Sequence, residues 1–272
     1  YGVLDGVVAT EELSAVCPGL ATSIFDNSLG MEPLILCDNE TAKQKYLTTI
    51  TRDRKFFAFA TSEPTMGSDV SSLRCLAKPD GDDYILNGTK FWITNGGIAD
   101  YVTVFATVDP KSAHQGICAF VVETNWEGVT AGRHMPKFGQ RGSNTTAINL
   151  KDVRVPKENV LGQFGAGFLT FMKTLDIGRA SLGAATLGGS QAAAAAAQAI
   201  PMGGEPWVSG KLCGCAPITR AWASVRSRCT GSSKGLTRFA TPAARWSTST
   251  PVSPDWWPAS WSASAPATPA RR

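Results

Sequence analysis

Two short segments of this chain carry side chains whose types and spacing could do chemistry. Ser62-Glu-Pro-Thr-Met-Gly-Ser-Asp69 is a compact polar loop whose hydroxyls and backbone N–H groups could receive an anionic or carbonyl-rich ligand. Trp92-Ile-Thr-Asn-Gly-Gly97 sets an indole two residues from a hydroxyl, on one face of a strand. A flat aromatic ligand could stack on Trp92 while Thr94 donates to one of its edges. On residue chemistry alone, a β-turn and a core tryptophan describe the same residues equally well.

Other patterns carry less. Gly162-Gln-Phe-Gly165-Ala-Gly167 has the spacing G-x-x-G-x-G, not the dinucleotide G-x-G-x-x-G, and no βαβ unit surrounds it. It reads as a flexible lead-in to a helix. His114 and His134 lack the spacing and the Cys/Asp neighbours of a metal site, so no metal is expected. Cys213-Gly-Cys215 stands without the second pair that a zinc site needs.

The elements that must hold the two segments are legible from period and turn chemistry. Thr10 followed by Glu11 and Glu12 reads as a helix start, and Leu13, Val16, Leu20 and Ile24 give that helix one apolar face. A second helix is expected from Glu40 to about Leu47, with Tyr46 and Leu47 turned inward. From Phe56 to Val155 the period becomes that of strands: Phe57, Phe59 and Thr61 alternate with alanines, and further β-rich runs begin at Leu73, Tyr84, Lys90, Tyr101, Cys118 and Ala147. Pro79-Asp-Gly81 predicts a hairpin, Asn87-Gly88 another turn, and Asn95-Gly-Gly97 a break. Helix returns after Gly167, with Phe168, Phe171, Met172 and Leu175 on one face and six alanines from Ala192 to Ala197. Gly183, Gly188 and Gly189 would let another helix approach closely.

Helices, then strands, then helices make an α+β multidomain fold and disfavour a Rossmann arrangement. The expected division is part of an N-terminal helical domain over 1–55, an antiparallel β-barrel domain over 56–160, the start of a helical bundle over 161–199, and an irregular tail over 200–272.

Composition supports a folded protein and isolates the tail. Of the 272 residues, 43% are hydrophobic and 9% aromatic, which excludes a disordered polymer. No apolar run approaches the ~20 residues of a membrane span, and Tyr1-Gly-Val-Leu-Asp shows no basic secretory n-region. Seven scattered cysteines suit a reducing compartment rather than a disulfide scaffold. The net charge of +4 averages two unlike pieces. Residues 200–272 hold nine Lys/Arg against two acids, with six of the eight tryptophans and nine of the sixteen prolines; residues 1–199 hold 17 bases against 20 acids.

Taken together, Ser62-Glu-Pro…Gly-Ser-Asp69, Phe91-Trp-Ile-Thr-Asn-Gly-Gly97, Lys137-Phe-Gly-Gln-Arg-Gly-Ser143, Val153-Arg-Val-Pro-Lys-Glu-Asn-Val-Leu-Gly162 and Leu175-Asp-Ile-Gly-Arg179 closely resemble the acyl-CoA dehydrogenases in order and spacing. The resemblance spans roughly residues 1 to 197 and is nearest to the short-chain and related bacterial branches. It implies an FAD isoalloxazine lying against the β-domain and taking a hydride from Cβ of an acyl-CoA thioester. A glutamate removes the α proton, giving a trans-2-enoyl-CoA, and electrons leave for an electron-transfer flavoprotein. Hydrogen bonds to the thioester oxygen must stabilise the enolate-like charge in a pocket that excludes water.

Carried over by motif, the resemblance makes Phe59, Ala60, Thr61, Ser62, Gly67, Ser68, Trp92, Ile93 and Thr94 the cofactor-binding set. Ser62 stands where the family usually has Thr, keeping the hydroxyl for the flavin's pyrimidine edge. Thr65-Met66 replaces the usual Gly-Ala and would narrow the loop. Ser68 would also touch acyl-CoA, with Asp176 and Arg179, three apart on a helix, as further substrate-binding residues. For Arg179, a helix-end surface charge is the competing reading. The family is usually a homotetramer in bacterial cytoplasm or the mitochondrial matrix, and neither nucleic acid nor membrane is an expected partner.

The resemblance stops where the tail begins. The Arg-x-x-Phe-Gly segment, the late glutamate base and the tyrosine- and glycine-rich flavin loop are not found after residue 190, and Glu205 comes too early for the base. No catalytic residue is therefore assigned. The tail's bias is that of a GC-rich gene read out of frame, with the shift near codons 198–202; a basic tail that binds nucleic acid or anionic lipid is the alternative. Tyr1 falls midway through the family's first helical domain, so a chain truncated at both ends is expected. A non-catalytic flavin or acyl-CoA-binding fragment and a related flavin oxidase remain as other readings.

Overall fold

The computed structural model describes residues 3–199; Tyr1, Gly2 and the basic tail, with the frameshift expectation and Cys213-Gly-Cys215, lie outside the described residues. Three helices come first: α1 (Val3–Val16), α2 (Pro18–Leu36) and α3 (Glu40–Asp53). After the strands comes α4 (Gly167–Ala199). No helix among the described residues is long and apolar enough to cross a membrane.

The expected helix starting at Thr10 is instead two helices. Thr10 lies inside α1, its hydroxyl donating to the Gly6 carbonyl at 2.7 Å. The break falls at Cys17, whose extended backbone precedes Pro18. Proline suits the first turn of α2, where a missing N–H leaves no bond unmade. The expected apolar face is also turned outward: Leu13, Val16, Leu20 and Ile24 are exposed, Val16 by 86%. α1 buries Val7, Thr10, Glu11 and Ser14 instead. Close backbone approach to α4 decides this, because only small residues let two helices come so near. At Gly188 an added Cβ would press into the Glu11 carbonyl and lie 3.0 Å from the Ala15 nitrogen. Gly183, by contrast, faces open space.

α3 begins at Asn39, whose side-chain oxygen accepts from the Ala42 N–H at 3.0 Å. It continues past Leu47 to Asp53. Tyr46 is fully buried, its hydroxyl donating to Glu123 at 3.1 Å and accepting from Asn159 at 2.7 Å.

Eight strands follow: β1 (Phe57–Ala60), β2 (Leu76–Asp80), β3 (Asp83–Thr94), β4 (Tyr101–Thr107), β5 (Ile117–Glu123), β6 (Val129–Ala131), β7 (Thr145–Val155) and β8 (Val160–Leu161). One sheet holds them in the order β6-β7-β3-β2-β4-β5-β8, with β1 paired to β4. The β-domain is present, but it is not antiparallel throughout. β1 and β2 both run parallel to β4, since long intervening segments, not hairpins, connect them.

Asp80 pairs with Asp83, leaving Gly81-Asp82 as the expected two-residue turn with Gly81 at φ +64°. Asn87-Gly88 is not a turn. β3 runs through it unbroken, and its register against β7 skips between Leu86 and Gly88. The extra residue belongs to the partner strand: Lys151 and Asp152 of β7, Asp152 at φ +52°, face Asn87 alone. Gly88, at φ +154°, packs so tightly on Cys75 that a Cβ would lie 2.8 Å from its Cα. β1 does not alternate either. Phe57, Ala58 and Ala60 are all fully buried, because α2 packs over a strand already flanked by β4.

α2 and α4 are the helices that meet this sheet at the site. Asn27 of α2 accepts from the Phe57 N–H at 2.6 Å, and Gly30 passes close enough to Ala58 that a Cβ would sit 2.9 Å from its carbonyl oxygen. The glycine-rich lead-in ends with Gly167 under the Ile117 carbonyl, and Phe171 of α4 then stacks on Phe59 at 6.1 Å.

Candidate functional site

The loop 61–69 is not the free polar loop its composition suggests, for it is anchored from below. Glu63 and Lys90 form a buried ion pair at 2.8 Å, and Lys90 also donates to the Thr61 carbonyl at 3.1 Å. The Glu63 carboxylate accepts from the Arg74 and Cys75 N–H groups, both at 2.9 Å. Glu63 and Met66 exchange backbone hydrogen bonds at 3.0 and 3.2 Å, closing the loop into a tight turn. Met66 drops into the core, so the Thr65-Met66 pair leaves the outer side of the loop open rather than narrowing it. Burial drives the neighbouring Cys75 thiol up to about 11, keeping it protonated and inert.

A bulge in β3 itself aims Trp92. The register against β7 skips from Lys90↔Ile148 to Ile93↔Thr146, and Trp92 sits at φ +60°. This sends Lys90 and Ile93 inward while the indole stays 60% exposed, so the core-tryptophan reading is excluded. Phe91 meets the indole edge-on at 5.2 Å. Asn95, also at positive φ, holds the following turn against α2 by donating to the Ser23 carbonyl at 2.8 Å.

Most of the expected cofactor residues meet at one cavity of about 250 Å³: Phe59, Thr61, Ser62, Gly67, Trp92, Ile93 and Thr94. Trp92 and Thr94 thus share a face, although the bulge brings Ile93 to the same cavity. Ala60 lies in the core and is not part of this cavity's wall. Ser68 belongs to an adjoining cavity of about 430 Å³, which shares Gly67, Phe171 and Leu175 with the first and adds Phe168 and Arg179. Asp176 is exposed and hydrogen-bonded to Arg179, so only Arg179 of that pair reaches a cavity wall. Among the described residues no cluster could hold a metal ion.

Sequence reasoning missed three side chains that shape this site. Lys90 and Glu63 leave a faint trace, since a lysine inside an aromatic strand has no place to go but a buried partner. Asp26 leaves none: it sits in Ile24-Phe-Asp-Asn27 of an amphipathic helix. Yet it lines the first cavity, 9% exposed, with Oδ2 unpartnered while the Phe59 N–H meets the carboxyl. Burial raises it from 3.8 to about 8. Between those values the folded chain holds a proton that the unfolded chain has lost, so stability falls as pH rises through the window. Asp26→Asn is expected to remove up to ~1.4 kcal/mol per pH unit of that slope. Urea unfolding of both proteins at pH 5 and pH 8 checks this, and parallel slopes would refute it.

Residues 1–54 match the acyl-CoA dehydrogenase N-terminal domain and residues 58–153 match the acyl-CoA dehydrogenase middle domain. A mitochondrial short-chain specific acyl-CoA dehydrogenase from Mus musculus is 40% identical over 187 residues, which is 68% of this chain and 45% of that protein. A short-chain specific acyl-CoA dehydrogenase from Clostridium acetobutylicum is 38% identical over 68% of this chain and 49% of its own length. The solved butyryl-CoA dehydrogenase from Megasphaera elsdenii superposes with a TM-score of 0.76 at 35% identity, covering 84% of this chain and 63% of that one. The chain thus spans about half the length of the curated relatives it matches. With both domain matches, these relatives and the shared fold in agreement, the chain belongs to the acyl-CoA dehydrogenase family.

Proposed function

We propose that this chain is the flavin-facing part of an FAD-dependent dehydrogenase that converts an acyl-CoA thioester to a trans-2-enoyl-CoA and passes electrons to an electron-transfer flavoprotein. The observation that carries this reading is Trp92, held outward on a positive-φ bulge beside Thr94, over a cavity in which the Thr61 hydroxyl is buried without a partner. A buried, unpaired hydroxyl next to an exposed aromatic face fits a flat ligand with polar edges. FAD, when bound, supplies the hydride acceptor.

The residues would divide the work as follows. Trp92 packs against the ring system, and Ser62 and Thr94 donate hydroxyl protons to its polar edges. Gly67 and Ser68 sit where the two cavities meet and would offer backbone N–H groups to the phosphates. Arg179, at the second cavity, would take the acyl-CoA with Ser68. Phe59, Phe171 and Leu175 keep water from the reacting carbons. Among the described residues no glutamate lines either cavity, so the proton-abstracting base is not assigned. The whole enzyme is a homotetramer in this reading, placed in the bacterial cytoplasm or the mitochondrial matrix.

Purified protein incubated with FAD should turn yellow and bleach anaerobically on addition of butyryl-CoA. Trp92→Ala should weaken FAD retention ~10-fold or more, the loss of one ring-stacking contact and its desolvation. Protein that stays colourless with excess FAD would end the reading. Stable colour without bleaching would favour a binding fragment, and steady oxygen consumption would favour a flavin oxidase.

A further inference from the structure

Resting on the FAD reading, we propose that Lys137 tunes the flavin toward its reduced form, through an ammonium fixed behind the Thr94 wall of the cavity. Lys137 Nζ donates to the Ser143 carbonyl, the Ser143 hydroxyl and the Thr145 hydroxyl, each at 2.6 Å. Ser143 and Thr145 are buried, and Lys137 is half-buried. Thr145 lies directly across from Thr94 where β7 meets β3, so the two side chains stand on one face of the sheet. Thr94 lines the 250 Å³ cavity. The same loop fixes the turn after Thr94. The Asn144 carbonyl accepts from the Asn95 N–H at 2.8 Å, and its side-chain oxygen accepts from the Gly97 N–H at 2.9 Å.

No carboxylate answers this ammonium. Its three partners are neutral oxygens, and the chain has no Asp or Glu between Glu127 and Asp152. Burial accordingly pulls the lysine's proton affinity down, with no neighbouring charge to raise it. Asp26, the one carboxyl among the residues lining the cavity, is raised to about 8 by burial and is mostly neutral at pH 7. A half-buried positive charge without a counter-charge favours any step that brings negative charge close. Hydride transfer from Cβ of an acyl-CoA is such a step. The Cβ–H bond breaks, two electrons and one proton enter a neutral ring, and the reduced ring carries one added negative charge. An ammonium already held in place favours that product without reorganising.

The two-electron midpoint potential of the FAD-loaded protein at pH 7, read from the flavin spectrum against a reference dye, tests this. Lys137→Gln can still donate to Ser143 and Thr145 but carries no charge. It should bind the reduced flavin ~10-fold less tightly relative to the oxidised one, a fall in potential of ~30 mV. Lys137→Arg should keep most of the wild-type potential. Arg141→Gln, which removes a charge from an exposed position in the same loop, should leave it in place. Should Lys137→Gln hold FAD too weakly for the potential, anaerobic titration of that variant with oxidised and with dithionite-reduced FAD gives the same ratio. A ratio unmoved in Lys137→Gln, or moved equally in Lys137→Arg or Arg141→Gln, overturns the inference and leaves the FAD reading standing. Wild-type protein that takes up no FAD overturns both.

Discussion

Lys90→Met is expected to cost the fold about 3–5 kcal/mol, the penalty of leaving one partner of a buried ion pair alone. Lys90 is fully buried, its ammonium shared between the Glu63 carboxylate at 2.8 Å and the Thr61 carbonyl at 3.1 Å. Methionine fills the same volume but leaves Glu63 charged in the interior, with only the Arg74 and Cys75 N–H groups to meet it. Those two bonds stabilise the carboxylate without neutralising it. The damage should reach the site, since Thr61 and Ser62 begin the loop that Glu63 anchors. Urea unfolding should show a lower midpoint, and FAD should wash out more readily. The double variant Lys90→Met with Glu63→Gln should recover much of the loss, because the orphaned charge is then gone. Additive losses in the double variant would show that the two residues do not act as a pair.

Gly188→Ala is expected to destabilise at the upper end of the ~1–3 kcal/mol typical of overpacking. The new methyl would press into the Glu11 carbonyl and lie 3.0 Å from the Ala15 nitrogen. Both are backbone atoms of α1, so no flexible side chain can yield and the two helices must part. Gly183→Ala, five residues earlier on the same helix, meets nothing within 4 Å. It should stabilise by ~0.5–1 kcal/mol, the intrinsic preference of a helix for alanine. Thermal melts of the two variants should therefore move in opposite directions. A shift of the same sign in both would mean that α1 and α4 do not touch at Gly188.

Much of the positioning was legible from residues alone. The period change near Phe56, the Pro79-Asp-Gly81 hairpin and the return of helix at Gly167 all rest on local rules, which depend on backbone sterics and not on what lies far away. Most of the residues that line the 250 Å³ cavity likewise surfaced because motif spacing survives in a linear string. Local rules failed wherever a second layer intervened. Asn87-Gly88 has turn chemistry, but β2 and β7 pair with β3 on either side and pull it straight, the irregularity falling opposite it in β7. Leu13, Val16, Leu20 and Ile24 have a core-facing period, yet α4 takes the opposite, small-residue face of α1.

By itself the sequence determined that helices flank a β-domain, and it singled out the loop at Ser62 and the strand at Trp92 as the candidate site. Only the tertiary structure decided which way the indole points, because a bulge shifts the inward and outward alternation by one residue. The same is true of Asp26. Its carboxyl belongs to the site only because α2 crosses β1 there, and burial, a property of the assembled fold, raises its affinity for a proton.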